Sequence, residues 1–450
     1  MIKSPIRSLS RGPASITRKS FLKQISAASL LTSVGGFSAF GEEPKKLLLP
    51  STRVTQRIEP VAIAMWDFSW VLRHDQGHEI GSEFANWDLV LDELVARGYN
   101  AIRLDVFPHI AALQPDGKYI GTVDWGGSNR PVMWGAQHPT KIDIRKALLE
   151  FIPKCIDRGI LLGLSTWLFG PGSEKINNID DFVRVWDEAL SFLKENNLLK
   201  NIYYVDLLNE YPLFNGFNMK RWIEAQTSGN QEALSNNTVK ENAHEYNKAE
   251  AEAKGRQENI ILYKKFVDES IQKLQLRWPE LDFIFSMTPN GTANFPEFIS
   301  TSIAALDIHY WFCHDPLLAD EASGYWNNIH TLAATDDPFA KVNEALLSNW
   351  KKNKKELVER MEENIKFVAS CGEKTKKPVG NTEGWGTVNW LDHPSLSWDI
   401  IKESGLICAK LGNKHGYRFN CSSNFTHPQF KGLWNDIAWH KEVTSIIRSH

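Results

Sequence analysis

Several common sequence features are missing from this chain. Its five cysteines, Cys155, Cys313, Cys371, Cys408 and Cys421, form no CxxC pair and no Cys/His spacing suited to zinc. That excludes a zinc ribbon, a dithiol redox motif and a disulfide scaffold. One or two bridges remain open in an oxidising compartment, with buried free thiols the favoured reading. No GxGxxG or P-loop follows the first apolar run, which argues against a nucleotide-binding open sheet. There is no internal repeat and no dominant low-complexity tract. The stretch "ISAASLLTSVGGFSAFG" is too short and too rich in Gly and Ser to span a bilayer. Acidic residues are absent from the first 41 positions, which carry six basic ones: Lys3, Arg7, Arg11, Arg18, Lys19 and Lys23.

A basic segment followed by a modestly apolar one is the pattern of an export signal. "TRKSFLK" (17–23) resembles the twin-arginine motif with Lys19 in place of the second Arg, so a general secretory route stays open. Residues 1–41 are therefore expected to direct the chain to the periplasm or the extracellular space; the alternative is a disordered basic tail. Without these residues, 45 basic side chains face 54 acidic ones, a formal charge of −9. A chain of that sign is poorly suited to nucleic acid or an anionic membrane. Its oligomeric state is not legible.

After a stretch read as a linker (42–59), residues 60–450 alternate apolar runs with amphipathic segments and read as one domain. The runs are "VAIAMWDF" (61–68), "NAIRLDVFP" (100–108), "GILLGLSTW" (159–167), "NIYYVDLLNE" (201–210), "LDFIFSMTPN" (281–290), "ALDIHYWF" (305–312), "KPVGNTEGWG" (377–386) and "GYRFNCSSN" (416–424). Segments such as 84–98, 143–159 and 179–196 place apolar residues at three-to-four spacing, and two of them end in Arg-Gly, a helix stop. Eight such repeats predict a (β/α)8 TIM barrel with extended loops, notably 215–258 and 313–341, on the C-terminal face of the strands. The charged stretch 351–367 reads as a solvated helix face.

Barrel enzymes build their sites where strands end. The polar residues there are Asp67, Arg103, Asp105, Asn209, Glu210, Asn290, His309, Asn381, Glu383, Asn420 and Ser422. Glu210 and Glu383 end the fourth and seventh strands, nearly opposite one another in an eight-strand barrel. Two facing carboxyls are what glycosidic hydrolysis needs: one protonates the leaving oxygen, and the other attacks or stabilises the anomeric centre. A flat indole can stack on a sugar. Of the 17 tryptophans, Trp311 and Trp385 are the candidates for that role, with Trp66, Trp70 and Trp167 also near strand ends.

On "LLNEYP", "NTEGWG", "NAIRLDVF" and "DIHYW", the chain resembles the cellulase-like glycoside hydrolases of clan A, family 5 and its relatives, over about 60–430. The resemblance implies a retaining hydrolase without metal or other cofactor, acting on a β-linked oligo- or polysaccharide. Glu210 would be its acid/base, Glu383 its nucleophile, Asn209 a sugar 2-OH ligand and Arg103 the residue that orients the nucleophile, with His309 lining the site. The chain departs from the pattern in four places. Tyr211 separates Asn-Glu from Pro212, and Trp311 replaces a strand-six tyrosine, for which Tyr310 substitutes only if the strand end twists. Trp167 replaces a strand-three histidine, and no tryptophan ends strand eight, although Trp434 could reach in. A non-catalytic carbohydrate-binding protein on the same barrel is the alternative. A metal-dependent barrel hydrolase would need His-x-His on strand one, which "MWDFSW" lacks.

Overall fold

Each of the eight apolar runs supplies one strand of a single parallel sheet. In the computed structural model these are β1 (Val61–Met65), β2 (Ala101–Asp105), β3 (Leu161–Ser165), β4 (Ile202–Asp206), β5 (Phe283–Ile284), β6 (Leu306–Asp307), β7 (Val379–Asn381) and β8 (Phe419–Cys421). The structure describes residues 51–75, 79–80, 82–125, 140–211, 253–288, 299–328 and 337–449. Hydrogen-bonded neighbours run β6-β7-β8-β1-β2-β3-β4-β5. The two end strands meet through a parallel bridge between Met287 and Ile308. There the Met287 N–H donates to the Asp307 carbonyl and the His309 N–H to the Met287 carbonyl, each at 2.9 Å. The sheet therefore closes into a (β/α)8 barrel. Strands covered on both faces read as continuous apolar runs, and every residue of β1 to β4 is buried.

The longer helices outside the barrel are α1 (Trp87–Ala96), α2 (Ile144–Asp157), α3 (Ile179–Glu195), α4 (Ala253–Arg277), α5 (Asp337–Thr375), α6 (Asp399–Lys414) and α7 (Ile437–Arg448). Their ends follow from local chemistry. Asn86, Asp143 and Asn178 cap α1, α2 and α3, each side chain accepting a backbone N–H three residues on. At the other end, Gly98 and Gly159 take φ of +92° and +67° just after Arg97 and Arg158. This is the left-handed turn that stops a helix without a Cβ penalty. The 351–367 segment lies within the 39-residue α5.

The barrel interior is packed rather than open. Tyr204 on β4 fills it against Gly163 on β3, where a Cβ would come within 2.3 Å of the Tyr204 ring. At the N-terminal end, Val54 joins Val61, Ile63, Ala101, Leu161, Tyr203, Tyr204, Ile284, Ala305 and Phe419 in a separate apolar cluster. The Val54 N–H donates to the Tyr203 carbonyl at 2.9 Å. Asp282 accepts from Arg53 Nε at 3.1 Å, the Thr55 N–H at 2.9 Å and Thr55 Oγ1 at 2.6 Å. Residues 51–59 thus correct the linker reading for their part of 42–59, because they seal the barrel floor. The domain expected from residue 60 begins earlier, in a compact unit spanning Pro50–His450.

The expected export segment and most of the 215–258 excursion lie outside the described residues. In the 313–341 excursion, the described parts contain two 3-10 turns, a short helix at Tyr325–Asn328 and the start of α5. All five cysteines are free and buried. Among the described residues, no helix is long and apolar enough to cross a membrane.

The floor clamp gives a stability prediction. Asp282→Ala leaves Arg53 and both Thr55 donors without their acceptor. The variant is expected to lose roughly 2–4 kcal/mol in urea unfolding. A loss under about 0.5 kcal/mol, the level of an ordinary surface substitution, would show that residues 53–55 do not hold the floor.

Candidate active site

Arg103 comes from β2, points into the barrel and has no exposed surface. A guanidinium cannot give up its proton, so burial obliges it to find acceptors. Its Nη1 donates to Asp67 Oδ2 at 2.8 Å and to Glu383 Oε2 at 3.0 Å. Its Nη2 donates to Asp206 Oδ2 at 3.1 Å and, through a very short contact, to Asn209 Oδ1. Burial pulls the Arg103 value down, but Asp67, Asp206 and Glu383 outweigh it and hold it well above normal. Each acceptor is itself fixed. Asp67 accepts from Ser165 Oγ at 3.0 Å and from the Trp167 indole N–H at 2.6 Å. Asp206 accepts from the Ser286 N–H at 2.8 Å and Ser286 Oγ at 2.6 Å. Burial nevertheless raises the Asp206 carboxyl above its ordinary value.

The glutamates face one another across His309. Glu210 sits four residues beyond β4 with φ of +46°, a left-handed conformation that costs a non-glycine residue about 1–3 kcal/mol. Its N–H donates to Ser286 Oγ at 3.0 Å. The next residue explains how the turn is held: Tyr211 stacks on Phe266 of α4 at 5.8 Å and 7°. The Tyr211 hydroxyl donates to the Tyr263 carbonyl at 2.8 Å. Glu383 follows β7, and its N–H donates to Asn381 Oδ1 at 2.9 Å.

His309 Nδ1 lies 3.0 Å from Glu210 Oε1 and 3.5 Å from Glu383 Oε2. Its Nε2 lies 3.3 Å from Thr382 Oγ1, which donates its own proton to Asp307 Oδ2 at 2.6 Å. Both ring nitrogens therefore meet acceptors, the arrangement of an imidazolium. Burial lowers the His309 value, yet Glu383, Asp307 and Glu210 overcome it and raise it to about 10. Burial raises the Glu383 carboxyl, with Glu210 adding to the rise and His309 and Arg103 opposing it. The glutamates remain only 4% and 2% exposed.

Some candidates face elsewhere. Trp385 is 1% exposed and donates its indole N–H to the Cys421 carbonyl at 3.0 Å. Trp311 is 4% exposed and pairs with Trp385 in a parallel bridge. This corrects the stacking expectation for both, since neither offers an open face. Tyr310 is buried and responds to Cys371 on α5, so it faces the helix layer and does not replace the missing tyrosine. Trp434 stacks under Arg97 at 4.0 Å and donates to Glu93 Oε2, away from the site. Asn420 donates to the Cys408 carbonyl at 3.4 Å and Ser422 meets Tyr99 at 2.5 Å, so both face the helices. Asp105 accepts the N–H groups of Phe107 and Trp167, and burial pushes its carboxyl up to about 8. Asn290 lies outside the described residues. The buried supports missed from sequence are Asp206, Ser286, Asp307 and Thr382. Asp206 and Asp307 stood in the quoted strand ends.

A family model for sugar-binding cellulase-like proteins matches residues 63–448. The chain belongs to that cellulase-like family. A proposed glycoside hydrolase from Parabacteroides distasonis superposes with a TM-score of 0.69 at 26% identity, covering 87% of this chain and 94% of that one. Endoglucanase Cel5A from the hyperthermophilic Thermotoga maritima superposes with a TM-score of 0.50 at 11% identity, covering 88% and 99%. At that identity the likeness shows the fold. None of the curated proteins matches in sequence.

In this cellulase-like site, one ligand atom each from Glu210, His309 and Glu383 lie within 4.8 Å of one another. Three such donors could hold a cation. Arg103 beside Glu383 opposes that use, because a fixed positive charge already occupies one donor.

The pH behaviour follows from the raised values. Both His309 and Glu383 bind protons more tightly when folded than when unfolded, so stability falls as pH rises. For Glu383 the fall begins above its ordinary carboxylate value. For His309 it runs from 6.5 to about 10. Urea midpoints of the wild type are expected to fall across that upper interval, and those of His309→Gln to fall less. An equal or steeper fall in the variant would contradict a buried imidazolium.

Proposed function

We propose that this chain is a retaining glycoside hydrolase acting on a β-linked oligo- or polysaccharide. The observation that carries the reading is that the two glutamates face one another on either side of His309, with one oxygen of each within 4.8 Å; the separation of the whole carboxyl groups is the quantity that divides the two mechanisms. Retaining enzymes hold their carboxyls about 5–5.5 Å apart, whereas inverting ones leave about 6.5–9.5 Å for a water. Glu383 attacks the anomeric carbon in its ionised form, which burial disfavours but the neighbouring His309 and Arg103, the latter at 3.0 Å, favour. The proton for the leaving oxygen resides in the Glu210–His309 pair, whose atoms are 3.0 Å apart. After the leaving sugar departs, the same pair takes a proton from the incoming water. Asn209 has its Oδ1 fixed by Arg103, while its buried Nδ2 has no acceptor among the described residues. That leaves a donor for a sugar hydroxyl. His309 contacts both glutamates, so it takes up the contact that the strand-six tyrosine makes in family 5.

A panel of β-linked oligosaccharides and aryl β-glycosides tests this proposal. Glu383→Gln is expected to lower turnover at least ~10³-fold with the fold intact, and Glu210→Gln about 10²–10⁴-fold, less on activated leaving groups. A 2-fluoro glycoside should leave a covalent adduct on Glu383. Saturable sugar binding with neither turnover nor adduct would make the chain a carbohydrate-binding protein instead.

The export reading of residues 1–41 belongs to the same proposal, since it places the enzyme where polymeric sugars are met. N-terminal sequencing of protein from a fractionated producing cell should find a new terminus near residue 42 outside the cytoplasm. An intact Met1 on cytoplasmic protein would refute it.

A further inference from the structure

We propose that Trp167 is a positioning residue for the nucleophile: its indole N–H engages the Asp67 oxygen that also binds Arg103, and so leaves that guanidinium to hold Glu383. The inference rests on the glycosidase reading above, in which Glu383 attacks the sugar. It gives Trp167 a task directed at the protein rather than at a substrate, since the residue is only 2% exposed.

The case rests on shared atoms. A single nitrogen, Arg103 Nη1, donates to Asp67 Oδ2 at 2.8 Å and to Glu383 Oε2 at 3.0 Å. The two carboxylates therefore compete for one group of donors. Trp167 Nε1–H donates at 2.6 Å to that same Asp67 Oδ2, while Ser165 Oγ holds Oδ1 at 3.0 Å. An oxygen whose lone pairs already accept from an indole is a weaker acceptor for Arg103, and part of its charge is compensated on the spot.

Without the indole N–H, Asp67 draws Nη1 away from Glu383. The Asp67 charge also reaches Glu383 directly. Burial and Glu210 raise the Glu383 carboxyl and Asp67 adds to the rise, whereas His309 and Arg103 lower it. Loss of the indole hydrogen bond moves both effects one way, toward a protonated Glu383 that cannot attack.

The indole is itself held for this contact. Trp167 follows β3, and its backbone N–H donates to Asp105 Oδ2 at 2.8 Å. The other Asp105 oxygen accepts the Phe107 N–H at 2.7 Å. Asp105 so ties Trp167 to the end of β2, the strand that carries Arg103. From the β1 side, Phe68 packs on the Trp167 ring with centroids 5.4 Å apart.

Two substitutions separate the donor from the packing. Trp167→Phe keeps an aromatic ring and removes the donor. Trp167→His keeps a donor, because imidazole Nε2 takes the place of the indole nitrogen in the five-membered ring, and removes the second ring. A packing role makes the His variant the worse one; a positioning role makes the Phe variant worse. On the aryl β-glycosides that the enzyme processes, Trp167→Phe is expected to lower kcat/KM about 10–30-fold for good and poor leaving groups alike, since Glu383 attacks both. Trp167→His is expected to recover most of that loss. No loss in Trp167→Phe, or an equal or greater loss in Trp167→His, would overturn the positioning role. Trp167→Met, which fills the space without a donor, replaces the Phe variant if that one does not fold.

Carbon-13 NMR of carboxyl-labelled glutamates needs no turnover, so it separates failure of this proposal from failure of the hydrolase reading. Glu383 is assigned by the signal lost in Glu383→Gln. Its carboxyl is expected to titrate at a pH about 0.5–1 higher in Trp167→Phe than in the wild type, and close to the wild type in Trp167→His. An unchanged titration in Trp167→Phe overturns the proposal whether or not any glycoside is hydrolysed.

Discussion

Arg103 is a permanent charge with no exposed surface, and the centre of the barrel is arranged around its need for acceptors. Asp67 after β1, Asp206 on β4, Asn209 beyond it and Glu383 after β7 all bond to this one guanidinium. A buried ion network of this kind is weak evidence of added stability, because desolvation offsets much of the attraction. Its consequence is geometric. The planar fork of donors fixes where each carboxylate and the Asn209 amide oxygen must lie. It also joins Asn209 and Glu383, which come from strands on different sides of the barrel.

Departures from the family pattern find their explanation in the neighbours of this network. Trp167 stands where many relatives carry histidine, and it donates to Asp67, so it supports Arg103 from behind. Tyr211, inserted before Pro212, locks the strained Glu210 turn onto α4. Trp311 is covered and paired with Trp385, while His309 contacts both glutamates. Each of these side chains is held by a contact of its own around the two carboxyls.

Much of the fold was legible because its signals are local. Apolar runs gave the strands, three-to-four spacing gave the helices, and Arg97-Gly98 and Arg158-Gly159 gave two of their ends. The linker reading failed at Arg53 and Thr55 because their partner, Asp282, lies more than 220 residues away. The site was legible in part. Glu210 and Glu383 stood out as carboxylates ending apolar strands, and Arg103 as a charge inside one. Asp206 looked no different from any other strand residue until Arg103, 103 positions earlier, was brought beside it.

The tryptophans separate the two levels most clearly. Sequence determined that the chain has many of them near strand ends, and that two glutamates end opposite strands of an eight-strand barrel. It could not tell an indole that is covered from one that faces water, because orientation depends on strand pairing and on helices far along the chain. The tertiary structure decided that Trp311 and Trp385 are covered and Trp326 is open. It also decided that His309 stands between the glutamates. Periodicity and turn chemistry act over a few residues and can be read from order alone. A buried charge and its acceptors act through space, and only closure of the barrel between Met287 and Ile308 brings them together.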